Sequence, residues 1–272
     1  EKRNPLELET RGIGELILQF ADQGVKTICV GIGGSATNDG GIGMAAGLGV
    51  AFYDEQGHLL RPVGASLGRV ARIDTSAVPK ALEDIELQVL TDVTNPLCGS
   101  QGATYIFGGQ KGLNPLLFPA VDQAMQDFYQ LADARILSMP GAGAGGGMAA
   151  GLVAFAGGQI SSGIEKSLDL IDFDHKVQKA DLVVVGEGRM DLQSLSGKAP
   201  VGVAKRTPEK IPVLAICGSL AEDLPAFPSH HIEAAFSIVP GPCEVADALA
   251  HAERNLVSCA RNIGNLLKMK AN

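Results

Sequence analysis

The segment GEGRMDLQSLSGKAP (186–200) places Glu187, Arg189, Asp191, Gln193 and Lys198 within twelve residues, directly after the apolar run 182–185. In open α/β sheets, ligands bind beyond the carboxyl ends of strands, and this cluster follows such a run. Acids, bases and the two glycines Gly186 and Gly188 are the parts that phosphoryl transfer uses. One carboxylate can orient a hydroxyl and take its proton, another can meet Mg²⁺, and the cations can neutralise charge on the transferred group. The segment is not a Walker loop: Lys198 is followed by Ala199, and the first glycine of GxxxxGK is replaced by Leu192. The plainer alternative is a solvated loop of short-range ion pairs.

A second constellation is GIGGSATNDGG (31–41), after the β-branched run KTICVGI (26–32). Main-chain N–H groups around Gly33 and Gly34, with the hydroxyls of Ser35 and Thr37, make an anion or phosphate cradle, and Asp39 supplies an acid nearby. Gly31-x-Gly33-x-x-Ala36 also fits the dinucleotide fingerprint, with Asp54 about 20 residues on. Against that, the glycines at 40, 41, 43, 47 and 49 each cost the required helix about 1 kcal/mol, and Asp54 sits in a DEQG turn. The cradle is preferred, and a dinucleotide site or a purely structural loop stays open. The tract GAGAGGGMAAG (141–151) reads equally as close backbone approach to a ligand or as tight packing of small residues. Gly64-Ala-Ser66-Leu-Gly68 is formally a nucleophile elbow, but Pro62 breaks the strand it would need. The five histidines lack metal-ligand spacing, which argues against zinc.

These loops need an α/β frame. Apolar spacing predicts a helix over 10–23 ending at Gly24, a buried strand over 26–32, a hairpin over 50–60 turning at 54–57, and a strand over 85–92. Asn114-Pro115 starts a helix that runs to about Leu137, with Pro119 near its start. From about Asp172 the runs 181–188, 211–218 and 234–241 each end in glycine or proline, and helical stretches separate or follow them, the last over 244–268. Strands alternating with helices imply βαβ units and a parallel sheet. The weakest seam lies near 160–175, so the expected domains are 1–171 and 172–272.

Composition bounds the reading. The chain has 272 residues, 46% hydrophobic, enough for one large or two ordinary domains. Its 22 basic and 30 acidic residues give a net charge of −8, with no basic cluster, which argues against nucleic acid. No stretch approaches the roughly 18 apolar residues of a membrane span, and the polar start EKRNPLELETRG is no signal peptide. Five widely spaced cysteines without a CxxC pair read as reduced, mostly buried thiols of a cytoplasmic protein.

With these strings in view, the chain resembles the bacterial glycerate kinase family that includes the glycerate 2-kinases. The matching strings are EKRNPL (1–6), GIGGSATNDGG (31–41), DVTNPLCG (92–99), FGGQKG (107–112), GAGAGGGMAAGL (141–152), GEGRMDLQSLSGKAPVGVA (186–204) and AAFSIVPGP (234–242). The resemblance implies ATP-dependent phosphorylation of D-glycerate, usually giving 2-phosphoglycerate, by two α/β domains, one Rossmann-like and one inserted within it. Residues 172–272 would be the C-terminal part of the Rossmann-like domain. Residues 1–171 would be most of the inserted domain, lacking its start. Under this resemblance Asp191 orients or deprotonates the glycerate hydroxyl, and Arg189 and Lys198 balance phosphate or carboxylate charge. Glu187 or Asp39 approaches Mg²⁺. Gly33, Gly34, Ser35 and Thr37, with Gly186 and Gly188, receive the anionic groups. Family members carry about a hundred further N-terminal residues, with a Pro-Asp-Ser-Phe-Lys turn and an Ala-Asp-Gly-Gly-Glu-Gly-Thr motif. The family usually has Thr in place of Ile13 and Pro in place of Gly109. The expected partners are D-glycerate and nucleotide, with a homo-oligomer left open. Two competing readings remain: a truncated, non-catalytic member, or an NAD-dependent oxidoreductase using Gly31–Ala36.

Overall fold

A computed structural model describes residues 4–195 and 198–270. Glu1, Lys2 and Arg3 of the first string, Ser196 and Gly197, and the side chain of Gln193 lie outside the described part. The chain divides into two compact units, Glu1–Gly163 and Ile164–Asn272. The division falls inside the expected seam, ahead of residue 171.

In the first unit, α1 (Arg11–Asp22) buries Gly14 and Ile17 and ends at Gln23, with Gly24 turning the chain at φ 76°. Strands β1 (Thr27–Gly31), β4 (Glu86–Leu90) and β5 (Gln159–Ser161) form a parallel sheet in the order β1-β4-β5, with Thr27 opposite Glu86 and Gln88 opposite Gln159. The expected buried strand at 26–32 is half-buried instead, because β1 turns Ile28 inward and Cys29 outward. Between β1 and β4 lie α2 (Ile42–Gly47) and the antiparallel pair β2 (Ala51–Tyr53) and β3 (Arg72–Asp74).

The hairpin expected over 50–60 forms in short form: Gly57 N–H donates to Asp54 O at 3.0 Å in its turn, Asp54 N–H to His58 O at 3.0 Å and Leu60 N–H to Phe52 O at 2.8 Å join its arms around an antiparallel Tyr53–Leu59 bridge, and β2 also pairs with β3. After α3 (Ala103–Phe107), Asn114 accepts the Leu116 N–H at 3.1 Å, Pro115 opens a 3-10 turn, and α4 (Phe118–Ala132) follows with Pro119 in its first turn. That helix stops at Ala132, short of Leu137, because Asp133 is extended and its carboxylate starts a new 3-10 turn. Then comes α5 (Ala144–Ala156). The core packs Phe52, Phe128, Tyr129, Met125 and Leu152 with almost no exposure, each contributing about 1.5–3 kcal/mol by burial.

The second unit contains α6 (Gly163–Leu170), α7 (Phe173–Val177), β6 (Val183–Val185), β7 (Arg189–Met190), α8 (Leu192–Leu195), α9 (Ala199–Arg206), β8 (Val213–Cys217), β9 (Ser219–Leu220), β10 (Ala234–Ser237), α10 (Val245–Ala250) and α11 (Ala252–Lys270). The three apolar runs are parallel strands in the order β10-β8-β6, and β7 pairs in parallel with β9. Val185, Met190, Val201, Ala204, Val213, Ala215 and Cys217 form its core. Val184, between half-buried Val183 and buried Val185, is 54% exposed. Arg206 clips the unit together, bonding Asp174 through Nε and Nη2 at 2.8 Å, Asp169 at 2.6 Å and Glu165 at 3.1 Å. The final helical stretch is two helices, broken at His251.

The fold class is α/β with parallel sheets. Among the described residues no helix is long and apolar enough to cross a membrane. The five thiols are free, but only Cys217 is buried, and Cys29 and Cys243 are exposed, which corrects the expectation of mostly buried cysteines.

Candidate functional site

The second unit builds its charged cluster at the carboxyl ends of β6 and β8. Beyond Val185 the backbone runs against the loop after Cys217. Gly218 N–H donates to Glu187 O at 2.9 Å, Ser219 N–H to Gly188 O at 3.0 Å, and Ala221 N–H to Met190 O at 2.9 Å. The approach requires glycine: a Cβ on Gly218 would lie 2.2 Å from Gly188 O, and one on Gly186 2.5 Å from Ile216 O. Met190, fully buried, anchors the joined loops. Gly186, Gly188 and Arg189 stand exposed on them, and Glu187 is half-buried. Its Oε1 is sealed from solvent without a hydrogen-bond partner.

Asp191 is held at the start of α8. Its Oδ1 accepts the Ser194 N–H at 3.0 Å and the Ser194 hydroxyl at 3.2 Å, while its own N–H donates to Ser194 Oγ at 3.2 Å. Lys198 Nζ lies 3.9 Å from Asp191 Oδ1. The structure therefore brings Asp191, which follows the joined loops carrying Glu187 and Arg189, to Lys198 at the start of α9.

In the first unit, the 33–37 loop leaves β1 with Gly33, Gly34 and Ala36 exposed and Gly34 at φ 68°. Among the described residues, none of the N–H groups of residues 33 to 37 donates to a protein acceptor. Consecutive undonated amides are the feature of an anion-binding nest. Beneath them lies Lys111, 9% exposed, its Nζ donating to Ser35 Oγ and Thr37 O, each at 2.8 Å. Burial lowers its pKa to about 8, against the opposing pull of Asp39. Thr37 Oγ1 and Asn38 Oδ1 are buried without a partner, while Asn38 Nδ2 donates to Thr104 Oγ1 at 3.0 Å. The sequence reading missed Lys111; its only signal was its place in FGGQKG.

The tract 141–151 is resolved in favour of packing. Gly145, Gly146 and Gly147 all have positive φ, and a Cβ on Gly146 would stand 2.1 Å from Thr37 O and 3.0 Å from Lys111 Nζ. Gly40 N–H donates to Gly146 O at 3.0 Å. The start of α5 thus supports the loop from behind by backbone contact.

Asp39 sits differently from a metal ligand. It is fully buried, with Oδ2 accepting the Thr10 hydroxyl at 2.6 Å and Oδ1 the Gly41 N–H at 3.0 Å. Burial raises its pKa, partly offset by these hydrogen bonds. Asp54 takes the N–H groups of Gln56 and His58 into its carboxylate, which commits it to its turn. The helix after the 33–37 loop begins only at Ile42 and has six residues, which removes the dinucleotide reading of Gly31–Ala36. Ser66 is buried in a 3-10 helix and is no nucleophile. Among the described residues no group of three or more His, Cys, Asp or Glu could hold a metal.

A parallel α/β frame, an undonated amide nest in one unit and a strand-end acid–base cluster in the other are parts that a phosphotransferase uses. The chain belongs to the glycerate kinase family, whose sequence profile matches residues 1–268, and it is a kinase of that family. It is 57% identical over 269 residues to the glycerate kinase of Neisseria meningitidis serogroup B, covering 99% of this chain and 72% of that protein. It is 40% identical over 272 residues to the glycerate 2-kinase of Escherichia coli K12, covering 98% of this chain and 71% of that protein. A solved structure from Salmonella typhimurium LT2, described as a glycerate kinase 2, matches with a TM-score of 0.80 at 40% identity, over 99% of this chain and 71% of that one.

Proposed function

We propose that the chain transfers the terminal phosphoryl group of ATP, with Mg²⁺, to D-glycerate, giving 2-phosphoglycerate. The relative named glycerate 2-kinase supports the position of transfer. The observation that carries the chemistry is the Asp191–Lys198 pair, between the joined loops at the ends of β6 and β8 and the start of α9. Asp191, held by Ser194, accepts the proton of the glycerate hydroxyl and orients its oxygen. Lys198 and Arg189 balance negative charge on the transferred group or on the glycerate carboxylate. Gly186 and Gly188 let the main chain approach it. The 33–37 loop, with Ser35 and Thr37, receives an anionic group of a substrate. Positioning and charge balance supply most of the rate, since phosphoryl transfer asks little covalent chemistry of the protein.

Glu187 fits Mg²⁺, because its buried, unpartnered Oε1 lacks a donor in the protein, and one or two carboxylates with substrate phosphates suffice for this ion. When bound, the ion neutralises phosphate charge. Asp39 does not fit, since both its oxygens are taken inside the core. ATP as substrate goes with a cytoplasmic setting.

Phosphorus NMR of the chain with Mg-ATP and D-glycerate is the test. A new phosphomonoester resonance matching 2-phosphoglycerate is expected. A 3-phosphoglycerate signal would overturn the position of transfer, and no product from a sample shown folded by circular dichroism would overturn activity of this chain.

A further inference from the structure

We propose that Lys111 is part of the anion site, its ammonium and the amides of the 33–37 loop receiving one carboxylate or phosphate group of the substrates between them. This rests on reading that loop as an anion cradle. Two of the three Nζ hydrogens are used, on Ser35 Oγ and Thr37 O, and both acceptors are neutral. Among the described residues no carboxylate lies within ion-pair distance of Nζ, and the charged group acting on it is Asp39, which is itself engaged with Thr10 and Gly41. Lysine is almost never buried without a counter-charge, and an ammonium held by neutral oxygens alone stays costly. An anion seated on the loop removes that cost.

Two further observations point the same way. Thr37 Oγ1, beside the lysine's main-chain acceptor, is buried with no partner. The room for the amine is made by Gly146, where any Cβ would reach within 3.0 Å of Nζ. A lysine serving only to tie Ser35 to Thr37 would leave the five loop amides and this hydroxyl unanswered.

The experiment is isothermal titration of Lys111→Met, Gly33→Asp and the unaltered chain with ATP and, separately, with D-glycerate, between about pH 7 and 9.5. Lys111→Met is expected to lose tenfold or more in affinity for one of the two ligands and little for the other. Loss for ATP identifies a phosphate in the site, and loss for D-glycerate a carboxylate. In the unaltered chain that same affinity falls as pH rises through about 8, and in Lys111→Met it stays flat, a difference that a merely structural lysine would not produce. Gly33→Asp puts a carboxylate where the chain now has open space. If Gly33→Asp loses binding while folded Lys111→Met binds both ligands as the unaltered chain does, the Lys111 proposal is overturned and the loop reading stands. If both variants bind normally, the loop reading falls and the proposal with it. Should Lys111→Met not fold, Lys111→Gln takes its place, and affinities for ATP and D-glycerate equal to those of the unaltered chain overturn the proposal.

Discussion

The Thr10 hydroxyl donates to Asp39 Oδ2 at 2.6 Å and accepts the Met44 N–H at 2.9 Å, so one side chain ties the start of α1 to α2 and to the buried end of the 31–41 loop. Thr10 makes no side-chain cap of its own helix. Thr10→Val leaves the Asp39 carboxylate and the Met44 amide short of partners, and a buried unsatisfied group costs about 1–3 kcal/mol. All three tyrosines, Tyr53, Tyr105 and Tyr129, lie in the first unit, so tyrosine fluorescence during urea unfolding reads that unit. A shift below about 0.5 kcal/mol would contradict the role given to Thr10.

Burial holds the Asp39 pKa above its ordinary value in the folded chain. The stability linked to this group is therefore fully present below the unfolded carboxylate pKa and is lost as pH rises through the folded one. Comparing the unaltered chain with Asp39→Asn by urea unfolding across acidic to neutral pH, the difference should favour the unaltered chain most at the acid end. The opposite slope would show a carboxylate stabilised by its hydrogen bonds more than it is penalised by burial.

Gly146 and Gly188 make a matched pair. Gly146 has φ 73° and a Cβ there would stand 2.1 Å from Thr37 O, whereas Gly188 has open space around it. Gly146→Ala should cost several kcal/mol, about 3 or more, by overpacking against backbone together with left-handed strain. Gly188→Ala should change stability by less than about 1 kcal/mol. Equal thermal midpoints for the two variants would refute the packing account of the 141–151 tract.

Asp191→Asn keeps an oxygen for the Ser194 N–H, so folding should change by less than about 1 kcal/mol. Turnover in a coupled ADP-release assay should fall by roughly 10²–10⁴, the usual worth of a positioned general base. Wild-type turnover in a folded variant would remove Asp191 from the mechanism.

Arg206 faces Asp174, Asp169 and Glu165, and its hydrogen bonds to Asp174 and Asp169 raise its pKa. The bonds sit near solvent and are screened by salt. Arg206→Ala should lower the thermal midpoint of the second unit at low salt, and the gap should narrow towards about 1 M NaCl. A gap independent of salt would mean the loss is one of packing by the arginine stem.

The pattern of apolar runs made the second unit's strands readable: 181–188, 211–218 and 234–241 hold β6, β8 and β10. The Asn114-Pro115 start was readable because both residues act locally. Long-range choices were not. β2 takes β3 as a further partner, across a long connection, beside the nearer 59–60 segment, and no local pattern encodes that. Asp39 looked like a ligand because acid next to glycine reads alike in an open loop and in a core. Lys111 was invisible as a site residue because its partners, Ser35 and Thr37, are 76 and 74 residues away. The charged loop after β6 was legible by position, but no local pattern signals that Gly218 must come within van der Waals reach of Gly188.

The joint between the 33–37 loop and α5 is main chain against main chain, Gly40 to Gly146 and Thr37 to Gly146, with no ionisable atom in it. Such a joint carries no charge of its own. The titrating part of the support is Lys111, whose ammonium donates to Ser35 Oγ and Thr37 O and whose pKa burial lowers to about 8. Acidity then acts on ligand capture through that one amine, while the main-chain contact behind it stays neutral. A variant selected for altered substrate preference would change the side chains seated on that surface, because Gly146 behind it admits no Cβ.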